Sequence, residues 1–164
     1  WCSHCRCWFN GYSPFPSPGR QRQLEAMLVN CIDPRFTTLS WQYMGLLHGI
    51  ARDKLNDNYS QFVMAGGPIG AVHPKFASWH NTFWDNLDIS VSLHHIPRVV
   101  ALTHRDCGAA KLAFGEAKVA TKEDETHAHA EALMAFRAAV NKRQPKLSVI
   151  TGIMDLTGKV DLIG

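Results

Sequence analysis

Short, nearly unbroken apolar runs alternate along this chain with longer stretches whose apolar residues recur every three or four positions. Ala26-Met27-Leu28-Val29 leads up to Cys31 and predicts a strand buried on both faces, which shows no polar alternation. Gln61-Phe62-Val63-Met64-Ala65 predicts a second strand, ending at Gly66-Gly67-Pro68. Arg98-Val99-Val100-Ala101-Leu102 predicts a third, and Leu147 to Met154 a fourth, closed by a Thr157-Gly158 turn. Residues 37–56 predict a helix with Trp41, Met44, Leu47, His48 and Ala51 on one face, stopped by Asn56-Asp57-Asn58. Residues 77–95 predict another, with Trp79, Phe83, Leu87 and Val91 spaced by four. Asp106 is expected to cap a short helix through Ala109, Leu112 and Phe114. Thr121, three residues before Asp124, starts a last helix through Leu133, Phe136 and Val140.

Strands alternating with helices predict an α/β fold, a mainly parallel central sheet flanked by helices. Such sheets collect ligands at the carboxyl ends of their strands, where Cys31, Gly66 and His104 all fall. Residues 1–20 break the pattern. Pro14, Pro16 and Pro18 forbid regular helix, so this Cys- and Pro-rich segment is expected to be an extended N-terminal arm before a domain over residues 21–164.

Composition narrows the classes. A chain of 164 residues fits one domain of ordinary size. The apolar fraction of 46% and charged fraction of 19% are those of a water-soluble globular protein. The net charge of +3 is spread out, with no dense Lys/Arg tract, so no nucleic-acid partner is expected. No apolar run approaches the roughly 18 residues that cross a bilayer, so no membrane partner is expected either. The chain starts at Trp1, and no basic stretch followed by an apolar core marks a signal peptide. The five cysteines, an odd number with Cys2, Cys5 and Cys7 crowded at the start, do not read as a disulfide framework. A reducing cytoplasm is the expected compartment.

The chemistry concentrates in two places, Cys31-Ile32-Asp33-Pro34-Arg35 and Thr103-His104-Arg105-Asp106-Cys107-Gly108. Two thiols and an imidazole from Cys31, His104 and Cys107 form the ligand set of a catalytic zinc site with one position left open. Alone, His-x-x-Cys also fits a buried cysteine beside a histidine bonded to backbone. Alone, Cys-x-Asp-x-Arg also fits a turn with a surface ion pair. Both at strand ends of one α/β chain favour the metal.

The two motifs together resemble those of the β-class carbonic anhydrases. His104-Arg105-Asp106-Cys107-Gly108-Ala109 is close to the family's His-Thr/Ser-Asp-Cys-Gly-Ala, and Gly152 to Val160 resembles its closing strand and turn. The resemblance runs from about Met27 to the end. It implies Zn2+ on Cys31, His104 and Cys107, and reversible hydration of carbon dioxide to bicarbonate by a zinc-bound hydroxide. Asp33 would accept a hydrogen bond from the zinc-bound water and Arg35 would hold Asp33. In some members that Asp instead takes the fourth zinc position and closes the site. The resemblance also implies a homodimer or a higher assembly of dimers.

Departures from the family bear on the substrate. The second strand end reads Val63-Met64-Ala65-Gly66-Gly67 where the family commonly has Arg-Asn-Ala-Gly-Asn, so Gly66 and Gly67 mark a possible pocket wall of altered chemistry. The stretch between Arg35 and Phe62 is long by family standards and brings Trp41, Tyr43 and His48. A related enzyme hydrolyses carbonyl sulfide, so a carbonyl sulfide or carbon disulfide hydrolase is the alternative activity. A non-catalytic zinc-binding sensor or assembly module is the alternative class. The Cys2-x-x-Cys5-x-Cys7 cluster lacks the second half of a zinc knuckle, and His94, His95, His127 and His129 read as surface or helix-end residues.

Overall fold

The computed structural model describes residues 23–51, 54–55 and 58–164. The arm over residues 1–20, with Cys2, Cys5 and Cys7, lies outside the described residues. Five strands form one sheet in the order β2-β1-β3-β4-β5. They are β1 (Ala26–Asn30), β2 (Tyr59–Val63), β3 (Arg98–His104), β4 (Ser148–Met154) and β5 (Val160–Leu162). The first four pair in parallel, and β5 adds an antiparallel edge to β4.

The apolar runs become the middle of this sheet because residues of both parities are covered. Met27 and Val29 of β1, with Val99 and Ala101 of β3, point to a core shared with Phe83, Leu87, Leu133, Phe136 and Val140. Ala26 and Leu28, with Val100 and Leu102, point the other way, onto Phe36, Met44 and Leu55. Helices α3 (Ala77–His94) and α5 (Lys122–Arg143) supply the first layer and α1 (Thr37–His48) the second. Two apolar faces on alternating residues require covering layers on both sides of the sheet. The expected α/β architecture is therefore the observed one.

The differences are local. Helix α1 stops at His48 rather than running on to residue 56, because Gly49 turns left-handed at φ 62° and its N–H closes the last turn on Gly45 and Leu46 carbonyls. The one-turn helix α2 (Pro68–Val72) and strand β5 were not expected. Helix α4 (Gly108–Phe114) is capped by Cys107, not by Asp106, which is left-handed at φ 56° and engaged elsewhere. The predicted start at Thr121 is the observed one: its Oγ1 accepts the Asp124 N–H at 3.1 Å, and its hydroxyl donates to Asp124 Oδ2 at 2.8 Å. No helix among the described residues is long and apolar enough to cross a membrane.

Candidate metal centre

β1 and β3 are neighbours in the middle of the sheet, with Val29 opposite Ala101. Their carboxyl ends therefore bring Cys31 and His104 side by side, and one short turn beyond β3 adds Cys107. The ligand atoms of these three residues all lie within 4.8 Å of one another, and all three residues are buried. Ile69, Phe76, Ala109, Ala110 and Ala132 form an apolar floor around the two sulfurs.

The donor atoms are oriented by what surrounds them. His104 Nδ1–H donates to the Arg105 carbonyl at 2.9 Å, which leaves Nε2 with a free lone pair. That Nε2 is buried and has no hydrogen-bond partner, a costly arrangement in an apolar setting unless a ligand uses the lone pair. Phe36 stacks on the imidazole with centroids 4.1 Å apart and fixes its plane. The Gly66 N–H donates to Cys31 Sγ at 3.3 Å. Cys31 and Cys107 are both free; hydrogen bonding with Cys107 pulls the Cys31 pKa down, and hydrogen bonding with Cys31, then burial, push that of Cys107 up. Burial opposes a charge on His104, but the Cys31 thiolate and the Arg105 carbonyl outweigh it and raise its pKa. Two sulfurs and one imidazole nitrogen, buried and convergent, fit a zinc ion.

The carboxylates stand around this cluster rather than in it. Asp33 takes hydrogen bonds from Arg35 through the backbone N–H at 3.0 Å, Nε at 3.1 and 3.2 Å, and Nη2 at 2.8 Å. Arg35 beside it holds the Asp33 pKa down at about 2. Asp33 Oδ2 lies 4.0 Å from His104 Nε2, at the edge of the site. Arg35 reaches across to the second motif as well, donating to Asp106 Oδ2 at 3.1 Å and to the Asp106 carbonyl at 3.2 Å. Lys111 pairs with the other Asp106 oxygen at 2.6 Å.

Gly66 and Gly67 serve the site through their backbone. Gly67 has φ 53°, and a Cβ there would lie 2.8 Å from the Asn30 carbonyl carbon and 3.1 Å from Cys31 N. A Cβ on Gly66 would meet that of Ala109 at 3.0 Å. The chain after β2 can thus pass flush against Cys31 and α4 only without side chains. Trp41 and Tyr43 pack against the α1-side core.

Two residues were misjudged by sequence reasoning. His129 is fully buried on α5, not at the surface, with neither ring nitrogen hydrogen-bonded. Burial first, then the neighbouring His104 and Arg105, pull its pKa down to about 4. Glu125 was not singled out, yet it bonds the loop between His104 and Cys107.

No family model matches the chain. An uncharacterized protein of Rickettsia conorii is 33% identical over 141 residues, 86% of this chain and 73% of its own length. One from Rickettsia bellii is 31% identical over 141 residues, 86% and 82% of the two chains. Among solved structures, a carbonic anhydrase from Streptococcus mutans superposes with TM-score 0.59 at 18% identity, over 92% of this chain and 89% of that one. Tetrameric β-carbonic anhydrases of Sordaria macrospora give 0.59 at 12% identity, over 87% and 82%. The apo form of a carbon disulfide hydrolase gives 0.50 at 12% identity, over 87% and 80%.

Proposed function

We propose, from the premise that this chain belongs to one family with the two rickettsial proteins and has the fold of the β-carbonic anhydrases, that it hydrates carbon dioxide reversibly to bicarbonate with the help of zinc. The observation that carries this reading is the convergence of Cys31, His104 and Cys107 within 4.8 Å, beside an aspartate locked to an arginine. Cys31, His104 and Cys107 would hold the ion. When bound, zinc supplies a Lewis acid that brings the pKa of water toward about 7, as in carbonic anhydrases with three imidazole ligands.

The chain's own residues then do the following. Asp33, kept ionised by Arg35, accepts a hydrogen bond from the attacking water and aims its lone pair. Asp33, turned toward Arg35, would leave the fourth position of a bound ion to water and substrate. Phe36 and the Arg105 carbonyl hold the His104 ring in one orientation. The Gly66 N–H tempers the charge on Cys31.

The reading extends to one zinc-binding catalytic domain over residues 21–164, assembled as a homodimer or a higher assembly of dimers. The tetrameric state of the Sordaria enzymes supports the assembly. The unpaired Cys31 and Cys107 suit the reducing cytoplasm. The second reading is hydrolysis of carbonyl sulfide or carbon disulfide, supported by the shared fold of the carbon disulfide hydrolase and by the Gly66-Gly67 strand end. Stopped-flow hydration of carbon dioxide, run beside sulfide release from both sulfur substrates on protein of known zinc content, decides between them. Fast hydration is expected; negligible hydration with fast sulfide release replaces the first reading by the second. Full zinc with no turnover of any of them between pH 6 and 9 (about the range in which such sites titrate) would leave a zinc-binding sensor or assembly module.

A further inference from the structure

The loop between His104 and Cys107 is held from behind by one residue of a different element. Glu125 lies in the first turn of α5, and its Oε1 accepts the Asp106 backbone N–H at 2.6 Å. Its Oε2 accepts Arg105 Nη1 at 3.2 Å, in a pair whose side chains are only 13% and 11% exposed. The same Arg105 group donates to the Lys122 carbonyl at 3.2 Å. Asp106 is one of two non-glycine residues at positive φ among the described residues, a conformation that persists only when neighbours hold it. That left-handed residue is what bends the chain so that Cys107 comes back beside His104. Arg105, the other residue Glu125 grips, carries the carbonyl that orients the imidazole. One carboxylate therefore fixes both residues between the two ligands, and Thr121 caps the helix that carries it.

We propose that Glu125 is a positioning residue for the metal: through Asp106 N–H and the Arg105 guanidinium it keeps the His104–Cys107 turn in the shape that presents imidazole and thiolate together. This rests on the reading of Cys31, His104 and Cys107 as zinc ligands. Groups hydrogen-bonded to a metal ligand are worth about 10–100-fold in metal affinity, and Glu125, which fixes the residues between two ligands, is assigned an effect of that order.

The test is competition for zinc between the full-length protein and a chromophoric chelator, paired with the sulfur-to-metal charge-transfer band of the cobalt-loaded protein and the thermal midpoint of the metal-free protein. Glu125→Ala should bind zinc about 10–100-fold more weakly and alter the cobalt band. Glu125→Gln, which keeps an acceptor for the Asp106 N–H, should recover most of the affinity. Val140→Ala, which loosens the far end of the same helix in the core without touching its first turn, should lower the thermal midpoint and leave zinc affinity and the cobalt band unchanged. Should Glu125→Ala fail to fold, Glu125→Asp keeps the charge but falls one methylene short of the N–H, and should show the same loss. Wild-type affinity in Glu125→Ala or Glu125→Asp, or an equal loss in Val140→Ala, overturns the inference while leaving the zinc site intact. A wild-type protein that binds no zinc overturns the site reading, and this inference with it.

Discussion

The two turns that meet at the site are built on opposite plans. The turn after β1, Cys31 to Arg35, is braced at the solvent edge: Arg35 has 45% of its side chain exposed and clamps Asp33 in front of the cluster. The turn after β3, His104 to Cys107, is braced from the interior by Glu125, Arg105 and the first turn of α5. Exposed ion pairs contribute little stability, so the front brace is poorly explained as a device for folding. It is better suited to holding a charge where a reacting molecule arrives. The rear brace holds a strained backbone and has no access to a substrate. On the proposed function, the difference assigns the front turn to chemistry and the rear turn to geometry.

The largest expected effect tests what the turns have in common. Cys31→Ser on the front turn and Cys107→Ser on the rear turn should each reduce zinc content, measured by elemental analysis, to near zero. A variant that keeps its zinc removes that residue from the ligand set and breaks the symmetry between the turns.

Next comes the front turn alone. Asp33→Asn should keep its zinc and lose about a hundredfold in carbon dioxide turnover, since the group that aims the water loses its charge. Zinc loss in this variant would instead give the front brace a role in holding the metal. Arg35→Lys should lose less turnover, because an ammonium supplies one point charge where the guanidinium supplies a fork to Asp33 and a link to Asp106. In Arg35→Lys the Asp33 carboxyl should titrate well above about 2 by carbon-detected NMR.

The smallest effect belongs to the rear. His129 is held neutral, with its pKa pulled from the ordinary 6.5 to about 4. As pH falls below 6.5 the unfolded chain takes up a proton that the folded chain refuses until about pH 4, so stability drops across that window. Urea midpoints at pH 7 and pH 5 should differ less in His129→Leu than in the wild type. An unchanged difference would show that other groups govern the acid sensitivity of the rear layer.

Much of the architecture was legible because central strands of a parallel sheet must be apolar on both faces. Ala26 to Val29 and Arg98 to Leu102 declare this openly, and ligands placed just past them declare the site. Other elements were hidden for physical reasons. Helix α2 is one turn long and shows no periodicity, and β5 is a three-residue edge strand, mostly exposed. Asp106 looked like a cap because its contacts with Arg35 and Glu125 come from distant parts of the chain. The buried face of α5 includes Glu125, Ala128, His129 and Ala132, so its stripe carries little hydrophobic signal. That is why His129 read as a surface or helix-end residue and Glu125 drew no notice. The meeting of Cys31, His104 and Cys107, with Asp33 and Arg35 at their edge, was foreshadowed by two short motifs. The support behind it was not, because support depends on contacts and not on spacing.

The placement of β1 between β2 and β3 also sets an order of events during synthesis. Cys31 emerges from the ribosome first and waits through two crossovers, while β2 takes one flank of β1 and β3 must still arrive at the other. Parallel pairings across such distances form late, because loop closure costs entropy before contacts repay it. The second thiol and the imidazole meet Cys31 only when the β1–β3 seam has zipped. An ion held by Cys31, His104 and Cys107 would therefore find its full ligand set only in chains whose central seam is complete.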